Sequence, residues 1–319
     1  MLSLFPIHRP RFGVSFRAHA LELVEIQRGW RKRPVVTRVA TRLLPSGLLT
    51  PGADHPTMSD PAAVAKELAA LLDGVRDRAV AIDVPMACGT LGLQHFETFP
   101  AIRTEQEALL RWRLRQEEHL TAPDLALSWH AVSSTASGST PVSVVSVASR
   151  TSILDQYHHV CEAAALIPVS MGWSTVHLLD LVRATFTGTR EEVYVAHRTA
   201  EALIVLGVRQ GRPIGLRVKP LRPGGIDLNR ELLQTLQYFS QDHPVSNHTA
   251  ARITPCYVMD ETVVASGAGA TAHPSDTWMV QEHWTVPIVR ITWSTAPVVS
   301  QVPLPDQPPY GALACVLAS

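Results

Sequence analysis

The chain has 319 residues, which allows two modest domains or one large one. Apolar residues make up 46% of it, ample for packed cores, while 18% are charged and the formal net charge is zero. That balance supplies no field for nucleic acid, and no stretch is apolar for long enough to span a bilayer.

The opening MLSLFPIHRPRF lacks the sustained apolar core of a signal peptide, so a soluble, cytoplasmic protein is expected. The basic run Arg9, Arg11, Arg17, Arg28, Arg31, Lys32 and Arg33 reads as a solvated edge. Phe12 to Pro45 alternates apolar and polar residues as a strand meander, and ends in a turn-rich linker to Pro56. Asp60-Pro61 opens a helix as N-cap and first helical residue; Val64, Leu68, Leu71 and Leu72 form its buried stripe and Gly74 closes it. Arg78 to Pro85 is almost wholly apolar, as a strand buried on both faces would be.

A smaller unit starts near Cys88. Phe96 and Phe99 alternate with polar residues up to Pro100, and Thr104 with Glu107 reads as the capping box of a helix through His119. Ala108 and Trp112 share one face of that helix. Leu125–Val132 and Val142–Ala148 alternate as two strands. Thr151 to Leu166 is the best helix of the chain, with Ile153, Tyr157, Val160, Cys161 and Ala164 inward. His158 and His159 point away from that face, which argues against a metal site. The four cysteines, Cys88, Cys161, Cys256 and Cys315, show no CxxC and no metal spacing, and read as small buried hydrophobes.

Val193 to Pro223 repeats the first meander. Ser15 falls on His197, Leu21 on Leu203, Leu23 on Val205, Ile26 on Val208 and Gly29 on Gly211. Two such segments alone fit either a duplication or two unrelated meanders; the helices and strands that follow each copy favour the duplication. After the second copy, Leu228, Leu232, Leu236 and Phe239 make a helical stripe, and Ile253–Met259 and Val286–Trp293 read as strands. Asp276–His283 is a weak helix, and Gly311–Ala318 a small-residue helix that ends the chain.

This order of elements resembles the PilM family of type IV pilus assembly proteins, which share the actin-like fold of FtsA. The strand-proline signature VAIDVP, the pair Arg111-Trp112 and the closing ALACVLAS are similar to the family's. So is VVSVASRTSILDQYHHVCEAAALIPV, Val144 to Val169, against the family pattern VLLVAARKEVVDRYVELLEAAGLKPV. The resemblance implies an α/β, actin-like (ribonuclease H-like) fold of duplicated halves with a small inserted α+β subdomain. It divides the chain into a first half (1–90), an inserted unit that binds the partner (91–169), a return to the first half (170–192), a second half without most of its helical insert (193–304) and a closing helix (305–319).

The family binds ATP between the halves, with an Asp-x-Gly phosphate loop in each meander. Glycine lets backbone amides approach phosphate, and the aspartate positions hydrated Mg²⁺. Here the first loop reads Ser15-Phe16-Arg17 with Glu22 at the expected lysine, and the second reads His197-Arg198-Thr199. Gly267 and Gly269 are loosely similar to the glycine turn near the adenosine. The resemblance therefore implies a vestigial nucleotide cleft and a scaffold with no cofactor, whose partner is the cytoplasmic tail of a PilN-like inner-membrane protein. It would sit at the inner membrane through that partner. The alternative is an ATPase in which Arg17 and Arg198 neutralise phosphates, and it must explain how Mg²⁺ is held and why Glu22 replaces a cation. A hydrolase reading has no GxSxG, HExxH or P-loop behind it.

Overall fold

Period-two alternation from Phe12 folds as an antiparallel meander of β1 (Phe12–Arg17), β2 (Ala20–Gln27) and β3 (Val35–Leu43). The computed structural model describes residues 10–29, 33–75, 77–117, 124–132, 142–177, 192–199, 202–209, 212–221, 228–242, 256–260, 288–290, 299–300, 312–313 and 317. Helix α1 (Pro61–Leu71) starts where Asp60 Oδ1 accepts the Ala63 amide at 3.0 Å, with Pro61 in the first turn. It buries Val64, Leu68 and Leu71, and Gly74 beyond its end takes a φ of 77°, which glycine adopts without a Cβ clash. Strand β4 (Ala79–Val84) is buried along its whole length and pairs parallel to β1.

A single 3₁₀ turn, Met86–Cys88, leads to the inserted sheet: β5 (Thr90–Phe96), helix α2 (Arg103–Glu117), β6 (Leu125–Val132) and β7 (Val142–Arg150). Its strands run antiparallel in the order β5-β7-β6. One expectation for α2 fails. Thr104 lies inside the helix, which begins at Arg103, so no capping box forms; instead the Gln106 amide bonds Ile102 O and its side chain reaches Pro100 O at 2.7 Å. The buried face is Leu110 and Leu114, not Ala108 and Trp112. Leu110 packs with Phe96 and Val144, Leu114 packs with Leu125 and Ala148, and Trp112 is 49% exposed. The reason is positional: the sheet lies beneath residues 110 and 114, and helix periodicity alone does not say which stripe meets it.

Helix α3 (Thr151–Ala163) buries Ile153, Tyr157, Val160 and Cys161, as its periodicity requires. It packs against α1, and these side chains belong to the first half's core together with Val64 and Leu68. Ala165 ends it with a φ of 58°, and the Leu166 amide bonds Cys161 O at 2.8 Å. Strand β8 (Ile167–Trp173) then joins β4 in parallel.

The second meander is β9 (Glu192–Arg198), β10 (Ala202–Arg209) and β11 (Arg212–Pro220). Helix α4 (Leu228–Asp242) buries Leu228, Leu232, Leu236 and Phe239 against the outer face of β9 and β10, each worth about 1.5–3 kcal/mol. Strands β12 (Cys256–Asp260) and β13 (Ile288–Arg290) extend the sheet in parallel. A last strand, β14 (Val299–Ser300), returns to the first sheet beside β3. The helical residues Ala312 and Leu313 cover Val24, Ile26 and Val36 there.

The two large sheets are therefore separate, with orders β14-β3-β2-β1-β4-β8 and β11-β10-β9-β12-β13. Each contains one pattern, an antiparallel meander followed by two parallel strands on the far side of its first strand. The match extends to register. Phe16 faces Leu21 as Arg198 faces Leu203, and the bulge between Glu25 and Ile26 recurs between Gly207 and Val208. Only the tips differ: residues 28–34 separate the paired Gln27 and Val35, against residues 210–211 in the second copy. Cys88, Cys161 and Cys256 are buried and form no disulfide with one another, and burial pushes the thiols of Cys161 and Cys256 up to about 12, which keeps them unreactive.

Candidate functional site

Ser15, Arg17 and Glu22 meet at the end of the first hairpin. Ser15 pairs with Glu22 on β2 and with Asp83 on β4, so pleating puts all three side chains on one face of the sheet. All three are buried. Ser15 Oγ donates to Asp83 Oδ2 at 2.7 Å. Arg17 folds back over the row, with Nη2 at 3.3 Å from Asp83 Oδ2 and Nε at 3.5 Å from Glu22 Oε2. One guanidinium thus lies against two buried carboxylates.

The hairpin tip beyond this cluster is tight. Arg17 pairs with Ala20 across the two residues Ala18 and His19, neither of them glycine and neither with a positive φ. The Leu44 amide bonds His19 O at 2.8 Å and anchors the tip from β3.

The second hairpin has a different chemistry at equivalent positions. His197 stands where the first copy has Ser15, flanked by Ile204 in place of Glu22 and Met259 in place of Asp83. Thr199 bonds to Ala202: its amide bonds Ala202 O at 2.9 Å, and its hydroxyl accepts from the Ala202 amide at 3.0 Å. His197 reaches out of its own half. Its Nδ1 lies 2.9 Å from the Thr175 hydroxyl, just after β8, and both residues are buried.

Residues 174–177 are helical. Gly172 is packed so closely by His177 that an added Cβ would lie 2.5 Å from its Nε2, and Gly89 would likewise meet Trp173 at 2.9 Å. Burial lowers the His177 pKa to about 4, so the imidazole is neutral at pH 7. Gly267 and Gly269 lie outside the described residues.

The structure thus brings Ser15, Arg17 and Glu22 into one cluster, and His197 and Thr199 into the facing hairpin. Asp83 and Thr175 complete the site, and neither stood out in the sequence. Asp83 had one signal, a lone carboxylate inside the otherwise apolar VAIDV, where burial of an unpaired charge is prohibitive. Thr175 had none. Among the described residues no group of three or more His, Cys, Asp or Glu side chains is arranged to hold a metal, and no helix is long and apolar enough to cross a membrane.

Duplicated sheets of this order, joined through a shared buried cluster and the Thr175–His197 contact, define an actin-like α/β protein. No family model matches the chain, and no curated protein does. Among solved structures it is similar to a chain of the PilM-PilN type IV pilus biogenesis complex, with a TM-score of 0.67, 20% identity and coverage of 91% of each chain. Looser similarity, TM-score 0.44 at 9% identity over 81% of this chain and 84% of the other, relates it to a Bacteroides thetaiotaomicron protein with an actin-like ATPase fold. The cytoplasmic domain of EpsL, an inner-membrane component of the Vibrio cholerae type II secretion system, follows at 0.43 and 11% identity, covering 78% of this chain and 81% of that one.

Proposed function

We propose that this chain is a PilM-like scaffold of a type IV pilus or related secretion assembly, which binds the cytoplasmic tail of a PilN-like inner-membrane protein and does not hydrolyse ATP. The observation that carries the reading is the structural similarity to the PilM-PilN complex over 91% of both chains. The inserted sheet offers the binding surface, with β6 as an edge strand on the side away from β5 among the described residues and the half-exposed Trp112 on α2. On this reading the protein is cytoplasmic and reaches the inner membrane through its partner.

The nucleotide-free part of the proposal rests on the cleft. A magnesium triphosphate needs free backbone amides, a carboxylate open to hydrated metal and an available cation. Here the first tip is a closed two-residue hairpin without glycine, Asp83 is engaged by Ser15 and Arg17, and Arg17 lies between Asp83 and Glu22. The residues at hand do not fit that group.

Two measurements test the proposal. The first is binding of the tail peptide of a neighbouring single-span protein to the full chain and to a variant with residues 91–150 replaced by a flexible joint, which leaves α3 in the first half's core. Loss of binding in a folded deletion variant is expected; undiminished binding refutes the assignment of the surface. The second is a thermal titration with Mg-ATP. A ligand at about a hundred times its dissociation constant adds roughly 2.7 kcal/mol to the native state. No Mg-dependent rise in melting temperature is expected, and a clear rise would restore the ATPase reading.

A further inference from the structure

In this fold class the cleft lies where the two halves meet, and something must set their relative position. Part of the link here is apolar. Phe16 and Trp173 of the first half belong to the same buried cluster as Val195, Ile204 and Met259 of the second. Apolar contact is non-directional and tolerates sliding. The contact between Thr175 Oγ1 and His197 Nδ1, at 2.9 Å, is directional and buried on both sides. A bond made in such surroundings is expensive to leave unmade, because either partner alone stays desolvated.

The second-half end of this contact leads to a groove. Two residues beyond His197, Thr199 is locked to Ala202 by backbone and side-chain hydrogen bonds. Ala202 is part of the wall of a groove of about 520 Å³. One wall is Met86, Leu91 and Leu93, from the first half and the inserted sheet; the other is Ala202 with Leu216 and Val218 on β11. The walls belong to different halves, so a shift of one half against the other changes the groove's width.

We propose that the Thr175–His197 hydrogen bond is a clasp: it holds the halves in register at the cleft without a bridging ligand and thereby sets the width of the groove between β5 and β11. This rests on the reading of the cleft as one that works without nucleotide.

Hydrogen exchange of the full chain, followed by mass spectrometry, tests the clasp. In Thr175→Val, which keeps side-chain shape and drops the hydroxyl, amides of β9 and of the Ala202 wall are expected to exchange about tenfold faster, the effect of losing one buried hydrogen bond. Those of α1 and α4 should keep the wild-type rate. Thr175→Ser retains a hydroxyl and should exchange as wild type. Unchanged β9 rates in Thr175→Val overturn the clasp. So does uniform acceleration that includes α1 and α4, which marks a general loss of stability, and so does equal behaviour of the Ser and Val variants. If Thr175→Val does not fold, His197→Phe takes its place with the same expectations, and failure of both to fold also overturns the clasp, since a local latch leaves each half intact. Mg-ATP should not restore slow exchange in the Val variant. The exchange pattern decides the clasp alone, whereas a Mg-ATP-dependent rise in the wild-type melting temperature decides the nucleotide-free reading alone.

Discussion

Arg17→Leu probes the first hairpin most directly. Its guanidinium lies 3.3 Å from Asp83 Oδ2 and 3.5 Å from Glu22 Oε2, and its side chain is 16% exposed. At an effective dielectric of about 20, each contact is worth roughly 5 kcal/mol of attraction before desolvation is subtracted. Taking the cation away leaves two buried carboxylates facing each other across Ser15, and breaking a buried pair in this way costs about 3–5 kcal/mol. That is a large share of a stability of about 5–15 kcal/mol. Urea denaturation followed by circular dichroism should show the loss, and melting should fall by about 2 °C or more for each kcal/mol. The triple variant Arg17→Met, Asp83→Asn, Glu22→Gln neutralises the cluster with little change of shape and should recover most of the stability. An Arg17→Leu protein within about 1 kcal/mol of wild type would show that the cluster is solvated, and the reasoning would be wrong. A triple variant less stable than Arg17→Leu would refute it equally.

Three further outcomes follow from the packing and from one titration. Leu110→Ala or Leu114→Ala should each cost about 2–5 kcal/mol, while Trp112→Ala should change stability by less than about 0.5 kcal/mol; the reverse order in denaturant unfolding would put the helix on its other face. Asp60→Ala removes the N-cap of α1 and should cost about 1 kcal/mol, largely recovered by Asp60→Ser. The His177 pKa is lowered from 6.5 to about 4 by burial, so below pH 6.5 the unfolded chain takes up a proton that the native chain refuses. Stability is then full above pH 6.5, falls as pH drops from 6.5 to about 4 by no more than about 3 kcal/mol, and levels off below that. His177→Gln should flatten this part of the pH profile; an unchanged slope would assign it to other groups.

Features written in local period and local chemistry can be read from the chain before any packing is known. The two meanders, their mutual alignment, the Asp60 cap, the inward stripes of α3 and α4 and the fully buried β4 all follow from which residues stand two, three or four positions apart. The absence of glycine and aspartate at the hairpin tips was equally plain. Tertiary structure alone decided which elements those faces meet. It set α3 against α1 and β8 of the first half, buried Leu110 and Leu114 in preference to Trp112, and returned β14 to the first half. It also assembled the site: Asp83 reaches Ser15 and Arg17 only because β4 lies parallel beside β1, and Thr175 reaches His197 only because the halves face each other. Periodicity says that a face is apolar or that a carboxylate needs a partner. The partner's identity depends on strand order and register between segments far apart in the chain, and those are settled by the packing of whole sheets, for which no short stretch carries a signature.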